Sequence, residues 1–251
     1  GALTLIRKIN RLGEKNYPAV YAYGLAIDTA QRAKVFGTLL SGQALNYGLS
    51  RLPERGIYYG YVEAGNTRSL RTLQKVGRKS LGQYHSLLVS RFYPKDQVGA
   101  QKLEDSKRER LVQLLAEQYA NHSLTDFEQS VKTEDYYAVM QDGKIIAGLQ
   151  CERNHLTIKH VPGMSGVLLL KILPHIPWVR QLFPKGKFHF LTLGNIYFRE
   201  GRERELFDLI EAVLAKHRCK FGMIYLDRRS PMYQRLIKAG NFGDQPEFIQ
   251  L

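Results

Sequence analysis

Apolar and polar positions change period several times along the chain, and each change marks an element. Residues 1–9 alternate, with Leu3, Leu5 and Ile9 set among polar neighbours, which predicts a strand. The turn signal Gly13-Glu14-Lys15-Asn16 follows, and residues 17–28, rich in Tyr, Val and Ala, predict the returning strand. From 29 to 51 the period turns helical. Phe36, Leu39, Leu40, Ala44 and Tyr47 recur at helical spacing, and Gly56 follows the end. Residues 57–63 are aromatic-rich and extended. Residues 66–76 predict a helix with Leu70, Leu73 and Val76 on one side and Gly77 as its stop. Residues 80–93 alternate weakly and predict one bent strand or a hairpin.

The stretch 94–105 is polar and rich in turn formers, and reads as a linker. Beyond it, 107–121 predicts an amphipathic helix with Leu111, Leu114, Leu115 and Tyr119 as its stripe. Residues 136–151 predict a hairpin around Asp142-Gly143. The apolar run 166–173 reads as a helix ended by Pro174 and Pro177. Then come strand 188–193, helix 203–217 (Leu206, Leu209, Ile210, Val213, Leu214), strand 221–226 and helix 231–239, stopped by Gly240. The order strand, helix, strand, helix, Gly thus occurs in both halves. It predicts an α/β protein of α+β mixed-sheet type, made of two copies of one unit.

Composition narrows the class. A chain of 251 residues suits one large domain or two small ones, and 44% hydrophobic residues exclude disorder as the main state. Cys151 and Cys219 form no CxxC or zinc spacing, and the histidines 155, 160, 175, 189 and 217 show no metal-ligand spacing. No metal is expected. No apolar run approaches the ~18 residues of a membrane span, and the first residues lack a signal-peptide pattern. The expectation is a cytoplasmic protein. The net charge is +14, and it is uneven: residues 1–100 hold 15 Lys+Arg against 5 Asp+Glu. Such an excess suits nucleic acid, a membrane surface or a small anionic ligand.

The stretch from Ile27 to Leu40 is the most informative. A strand ends, a short turn follows, and a helix begins with Arg32, Lys34 and Gly37 in its first turns. Unpaired amides at a helix start carry the positive end of the dipole and suit a phosphate or pyrophosphate. Gly37 would let a ligand approach the backbone. An ordinary strand–helix turn with exposed basic residues is the plainer reading of the turn taken alone.

The order and spacing around this turn resemble the GNAT superfamily of acyl-CoA-dependent N-acyltransferases. The family signature is a strand, then V-x-P-x-x-R-x-x-G-x-G, then a helix. Here Ile27 stands at the Val, Thr29 at the Pro, Arg32 at the Arg, Val35 at the first Gly and Gly37 at the second. A later helix with N-x-x-S/A and L-G-F is matched by Asn66, Ser69, Val76 and Gly77, with Arg78 at the Phe. The resemblance implies an acetyl-CoA (or other acyl-CoA) co-substrate. Its pyrophosphate would sit on the segment Arg32, Ala33, Lys34, Val35, Phe36, Gly37 and Thr38, beside Ile27, and its pantetheine near Asn66 and Ser69.

In the second half, Ser230-Pro231-Met232-Tyr233 through Leu236 to Gly240 looks like the closing helix of the same unit. Arg199-Glu200-Gly201-Arg202-Glu203-Arg204 takes the phosphate-loop place with neither Gly in register, and Glu200, Glu203 and Glu205 would repel phosphates. The resemblance therefore implies tandem GNAT-like units: 1–95 binding acyl-CoA, 96–105 as linker, and a degenerate 106–251. It also implies that the first unit lacks its N-terminal strand and helices. The Tyr that often serves as general acid is replaced by Leu73 in the first copy and Leu236 in the second.

On this reading an amine attacks the thioester, and a strand-end amide near Ala26 to Asp28 polarises the carbonyl. Asp28 is the candidate base through water, although a helix N-terminal cap suits it better. Tyr84 and His85 are candidates for the acyl end, against a solvated edge-strand reading of His85. Trp178 reads as a packing anchor. The expected acceptor is a small-molecule or peptide amine. The alternatives are a tRNA-dependent aminoacyl transferase of similar fold and a non-catalytic basic binding module, with nucleic acid not the favoured partner.

Overall fold

The computed structural model describes residues 1–13, 15–31, 35–122, 124–157, 187–240 and 247–250. The hairpin β1 (Ala2–Leu12) and β2 (Lys15–Ala26) pairs antiparallel, and β2 pairs parallel with β3 (Ile57–Tyr59) to complete a three-stranded sheet. Helix α1 (Phe36–Ser50) links β2 to β3. Gly60 then carries the chain into β4 (Tyr61–Glu63), which belongs to a second sheet. A side chain at Gly60 would sit 2.6 Å from the Ala22 carbonyl oxygen, so only glycine permits this crossing.

Among the described residues the second sheet holds eight strands. After α2 (Thr67–Lys75) come β5 (Gly82–Ser90), β6 (Gln101–Lys102), α3 (Arg108–Gln118), α4 (Phe127–Ser130), β7 (Tyr136–Gln141), β8 (Lys144–Thr157) and β9 (Lys187–Phe198). The chain ends with α5 (Glu203–Lys216), β10 (Phe221–Asp227), α6 (Pro231–Ala239) and β11 (Glu247–Gln250). The sheet order is β4-β11-β5-β10-β9-β8-β7-β6, so strands of the two halves interleave. β5 pairs antiparallel with β10, and β11 lies antiparallel between β4 and β5, with Phe248 opposite Glu63 and Tyr84.

The main core forms where α5 lies on this sheet. Leu206, Leu209, Ile210, Val213 and Leu214 are buried against Leu191, Leu193, Ile224 and Leu226. Each such side chain contributes roughly 1.5–3 kcal/mol, so this stripe outweighs any local propensity. A second cluster sets Leu111 and Leu115 of α3 against Tyr136, Ala138 and Ile145.

Several expectations need correction. Residues 80–93 form one strand, β5, neither bent into a hairpin nor at an edge. Ser86 and Leu87 point to opposite faces of the sheet and are both buried, so both faces are covered there and clean alternation is lost. In α1 the large apolar residues do not form the buried stripe. Phe36, Leu39 and Tyr47 are exposed, whereas Ser41 and Gly48 are the buried positions. This small-residue face lets the helix approach the Tyr58 ring closely: a Cβ on Gly48 would meet it at 2.4 Å. The segment read as a linker holds β6, which pairs with β7, and the buried Ala100 and Leu103. The run 166–173, Trp178, His160 and His175 lie outside the described residues.

Candidate functional site

The site begins where two parallel strands part. β2 and β3 stay paired through Ala19↔Ile57, Val20↔Tyr58 and Tyr21↔Tyr59. Gly60 then takes the second strand into the other sheet, and the end of β2 loses its parallel partner. A cleft of about 450 Å³ opens there, lined by Leu25, Ala26, Ile27, Gly37, Thr38, Asn66, Ser69 and Thr72 with Arg68. Of the residues expected from sequence, it brings together Ile27, Gly37, Thr38, Asn66 and Ser69. Ala26, expected at the polarising strand end, also lines it, whereas Leu25, Arg68 and Thr72 were not expected. They follow from the same strand end and helix face once those are placed side by side.

Two elements hold the cleft in shape. Asn66 caps α2, its Oδ1 accepting the Ser69 amide at 3.1 Å, which satisfies an orphan donor of the first turn. At the start of α1, Val35 makes no side-chain cap and the first turn has no acidic residue, so its dipole is uncompensated. Val35 and Phe36 are exposed and stand outside the cleft lining. Arg32, Ala33 and Lys34 lie outside the described residues. Asp28 is exposed, and its Oδ1 accepts the Ala30 amide at 2.8 Å, the local capping role rather than a place in the cleft.

A second cleft of about 230 Å³ shares Leu25, Asn66 and Ser69 with the first and runs through the strand opening to Gly60, Val62 and Arg78. It also meets Tyr61, which leads into an apolar chamber of about 400 Å³ lined by Tyr21, Tyr61, Tyr84 and Tyr225. The rings brace one another: Tyr61 and Tyr84 lie 5.2 Å apart edge to face, and Tyr21 and Tyr59 stack at 5.3 Å. Burial raises the pKa of Tyr21, Tyr61 and Tyr84, so these hydroxyls stay protonated. Tyr84 thus lines a half-open chamber whose Tyr61 and Tyr225 are exposed, while His85 packs edge-on against Tyr233 at 5.4 Å. Leu73 and Leu236, at the general-acid places, are buried and apolar.

The corresponding place in the second half is built differently. The first turn of α5 carries Glu203 and Glu205. Glu203 pairs with Arg235 at 2.7 Å and Glu205 with Arg202, so protein charges already compensate this helix start. His217 Nε2 lies 3.2 Å from the Tyr137 hydroxyl and 3.4 Å from Cys151 Sγ. Burial pushes that thiol up to about 11, which keeps it unreactive.

No family model matches the sequence, and no curated protein matches it. Solved structures do match. A GCN5-related N-acetyltransferase from Sphaerobacter thermophilus aligns with a TM-score of 0.58 and 13% identity, over 99% of this chain and 74% of its own. Saccharomyces cerevisiae N-myristoyltransferase with bound myristoyl-CoA aligns with a TM-score of 0.59 and 12% identity, over 99% of this chain and 65% of its own. A further GCN5-related N-acetyltransferase, from Kribbella flavida, aligns with a TM-score of 0.50 and 10% identity, over 99% of this chain and 55% of its own. The chain therefore has the GNAT fold, a mixed α/β architecture, and spans between about half and three-quarters of the length of these structures.

Proposed function

We propose that the chain is an acyl-CoA-dependent N-acyltransferase with its acyl-CoA site in the first half. The observation that carries this is the cleft itself, where Gly37, Thr38, Asn66 and Ser69 meet beside a parted parallel strand pair. Its chemistry fits the substrate. The start of α1 offers unpaired amides to a pyrophosphate, with Arg32 and Lys34 adjoining it in sequence. The freed backbone of Leu25 and Ala26 can pair with the amides of an extended pantetheine, much as an added strand would. Gly60 and the tyrosine chamber leave room beyond the opening for an acyl group.

On this reading the protein holds thioester and amine together, which supplies much of the acceleration, and a strand-end amide polarises the carbonyl. The amine nitrogen forms a bond to the carbonyl carbon, the carbon–sulfur bond breaks to release coenzyme A as its thiolate, and the proton lost by the nitrogen passes through water to that thiolate. Acetyl is the acyl group we favour, from acetyl-CoA, and the acceptor is a small-molecule or peptide amine. We also keep the division into units 1–95 and 106–251, with the second degenerate. The self-compensated start of α5 supports that asymmetry. We expect the reaction to take place in the cytoplasm.

Isothermal titration of the full chain with acetyl-CoA tests the reading. Binding in the micromolar range is expected, weakened at least tenfold by Arg32→Glu and left within twofold by Arg202→Glu. No binding below millimolar would sink the reading, and equal effects of the two substitutions would refute the asymmetry.

A further inference from the structure

The second half has a strand opening of its own. β9 and β10 pair in parallel through Gly222↔Leu191, Met223↔Thr192 and Ile224↔Leu193, and then part. Asn195, at a φ of 45°, sits where β9 leaves its partner. A pocket of about 230 Å³ fills the gap between the two strands, closed by Tyr119, His122 and Asp126 from the α3–α4 stretch. That stretch is tied to the first sheet: Asn10 Nδ2 donates to the Leu124 carbonyl at 3.2 Å, and the Arg11 amide to the Thr125 carbonyl at 2.7 Å.

The charge of this pocket opposes that of the chain. The sequence has 37 Lys+Arg against 23 Asp+Glu, yet the lining holds two carboxylates, Asp126 and Asp227, and neither Lys nor Arg. Asp227 is already held by Arg229, with contacts at 3.0 and 3.2 Å. Asp126 makes no ion pair among the described residues. Its side chain makes no cap hydrogen bond to α4, and the Lys8 charge and the Gln129 amide only partly offset the burial that raises its pKa. Both ring nitrogens of His122 are buried and have no hydrogen-bond partner among the described residues. Burial lowers the His122 pKa, against the opposing pull of Asp227, so the ring is neutral at pH 7 and offers one acceptor nitrogen. A buried, unpaired polar group of this kind costs free energy until something pairs with it.

A metal ion does not fit, since no three His, Cys, Asp or Glu side chains among the described residues are placed to share one. The rest of the wall mixes the polar side chains of Thr125, Ser130 and Asn195 with apolar and aromatic ones, the Tyr119 ring lying 4.8 Å from that of His122 and 5.2 Å from that of Phe127. The pocket also shares Tyr84 and Tyr225 with the tyrosine chamber, which reaches the opening of the first half through Tyr61. An occupant would therefore face the side on which the acyl group is proposed to enter.

The geometry points to an acceptor site: this pocket takes a protonated primary amine on an apolar or aromatic body, with its ammonium between Asp126 and His122. The inference rests on the acyltransferase reading for the word acceptor, and on the pocket alone for the cation.

The test is calorimetry on the full chain with 2-phenylethylamine as probe and 2-phenylethanol as its neutral counterpart. The amine should bind and the alcohol at least tenfold more weakly, and Asp126→Asn should weaken amine binding at least tenfold. Equal binding of amine and alcohol, or an amine affinity unchanged in Asp126→Asn, would overturn the site. If Asp126→Asn does not fold, histidine NMR of the unsubstituted chain decides. The His122 ring signals should shift on adding the amine, and signals that stay put overturn the proposal. Coenzyme A titrated into the same sample separates the two readings. Amine failure with coenzyme A binding intact removes the acceptor pocket alone. Coenzyme A failure with amine binding intact removes the acyltransferase reading and leaves the cation site.

Discussion

The guanidinium carbon of Arg78 lies 4.5 Å over the Tyr58 ring, forming a half-buried joint between the end of α2 and β3. Arg78 stands where the resembled family has a Phe, and it keeps the flat, ring-facing geometry that a Phe would supply. The stack is a cation–π contact worth roughly 0.5–2 kcal/mol. Its cost is visible in the same place: Nε and Nη2 are buried without hydrogen-bond partners, and burial lowers the Arg78 pKa. Replacing the charge with a ring should therefore be nearly neutral. Arg78→Phe is expected to hold the urea midpoint or raise it, whereas Arg78→Ala should lose roughly 1–3 kcal/mol through lost packing. A large loss in Arg78→Phe would show that the charge, rather than the shape, is needed.

Asn66 has two separable duties. Its Oδ1 caps α2 by accepting the Ser69 amide, and its side chain lines both clefts of the first half. Asn66→Asp keeps an acceptor at the cap and complements the helix dipole, so thermal stability should hold. It also places a carboxylate where a polyanionic substrate is proposed, so coenzyme A affinity should fall about fivefold or more. Asn66→Ala should instead cost about 1 kcal/mol of stability through the lost cap. Calorimetric affinity compared with melting temperature separates the two. Unchanged affinity in Asn66→Asp would remove Asn66 from the site.

Local chemistry explains what could be read from the sequence. Asn66 and Ser69 could be found because a cap is written in adjacent residues, and α5 because five of its apolar residues repeat at helical spacing. The α1 stripe misled because hydrophobicity was weighed and closeness was not. Gly48 and Ser41 face the sheet because they are small, which a hydrophobic pattern cannot express. The place of β11 between β4 and β5 was invisible for another reason: pairing partners far apart in sequence leave no periodic trace. The pocket at His122 was missed for the same reason. Its lining comes from β5, the segment between α3 and α4, α4, β9 and β10, and no two of these carry a shared motif.

Gly148 tests how tightly the second strand opening is built. A Cβ added there would fall 2.5 Å from Cε1 and 2.6 Å from the hydroxyl of Tyr136, a fully buried ring that donates to the Asn195 carbonyl at 3.1 Å. Gly148→Ala must push that ring aside, and overpacking of this kind costs roughly 1–3 kcal/mol. Gly222→Ala provides the contrast. Its Cβ would crowd Leu193 Cδ1 at 2.9 Å, the end of an aliphatic side chain, with Leu193 Cγ and Leu214 Cδ2 at ordinary contact distance, and a smaller loss is expected. Denaturant midpoints of the two variants should rank in that order. Adding Tyr136→Leu to Gly148→Ala should recover part of the loss, because the two sites share one contact. Equal costs in the two glycine variants would mean that Tyr136 is not fixed as described.

Two histidines set the acid side of the stability profile. Burial lowers the pKa of His122, opposed by Asp227. Burial also lowers that of His217, helped by Arg153 and Lys102 and opposed by Asp135. In the unfolded chain both return to about 6.5. Between the lower folded values and that value the unfolded state binds more protons, so stability falls as pH drops. The slope is at most about 1.4 kcal/mol per pH unit for each group. Burial moves Asp126 the other way, raising it, but a carboxyl acts in a lower range and does not cancel this slope. The melting temperature should therefore drop from pH 7 to pH 5.5, and His122→Gln and His217→Gln should each flatten that drop. For His122→Gln the flattening should appear with His217 untouched, since the two rings sit in separate clusters, one in the β9–β10 pocket and one against Tyr137. A melting temperature that is level or rising over the same interval would show that both rings protonate freely in the folded chain.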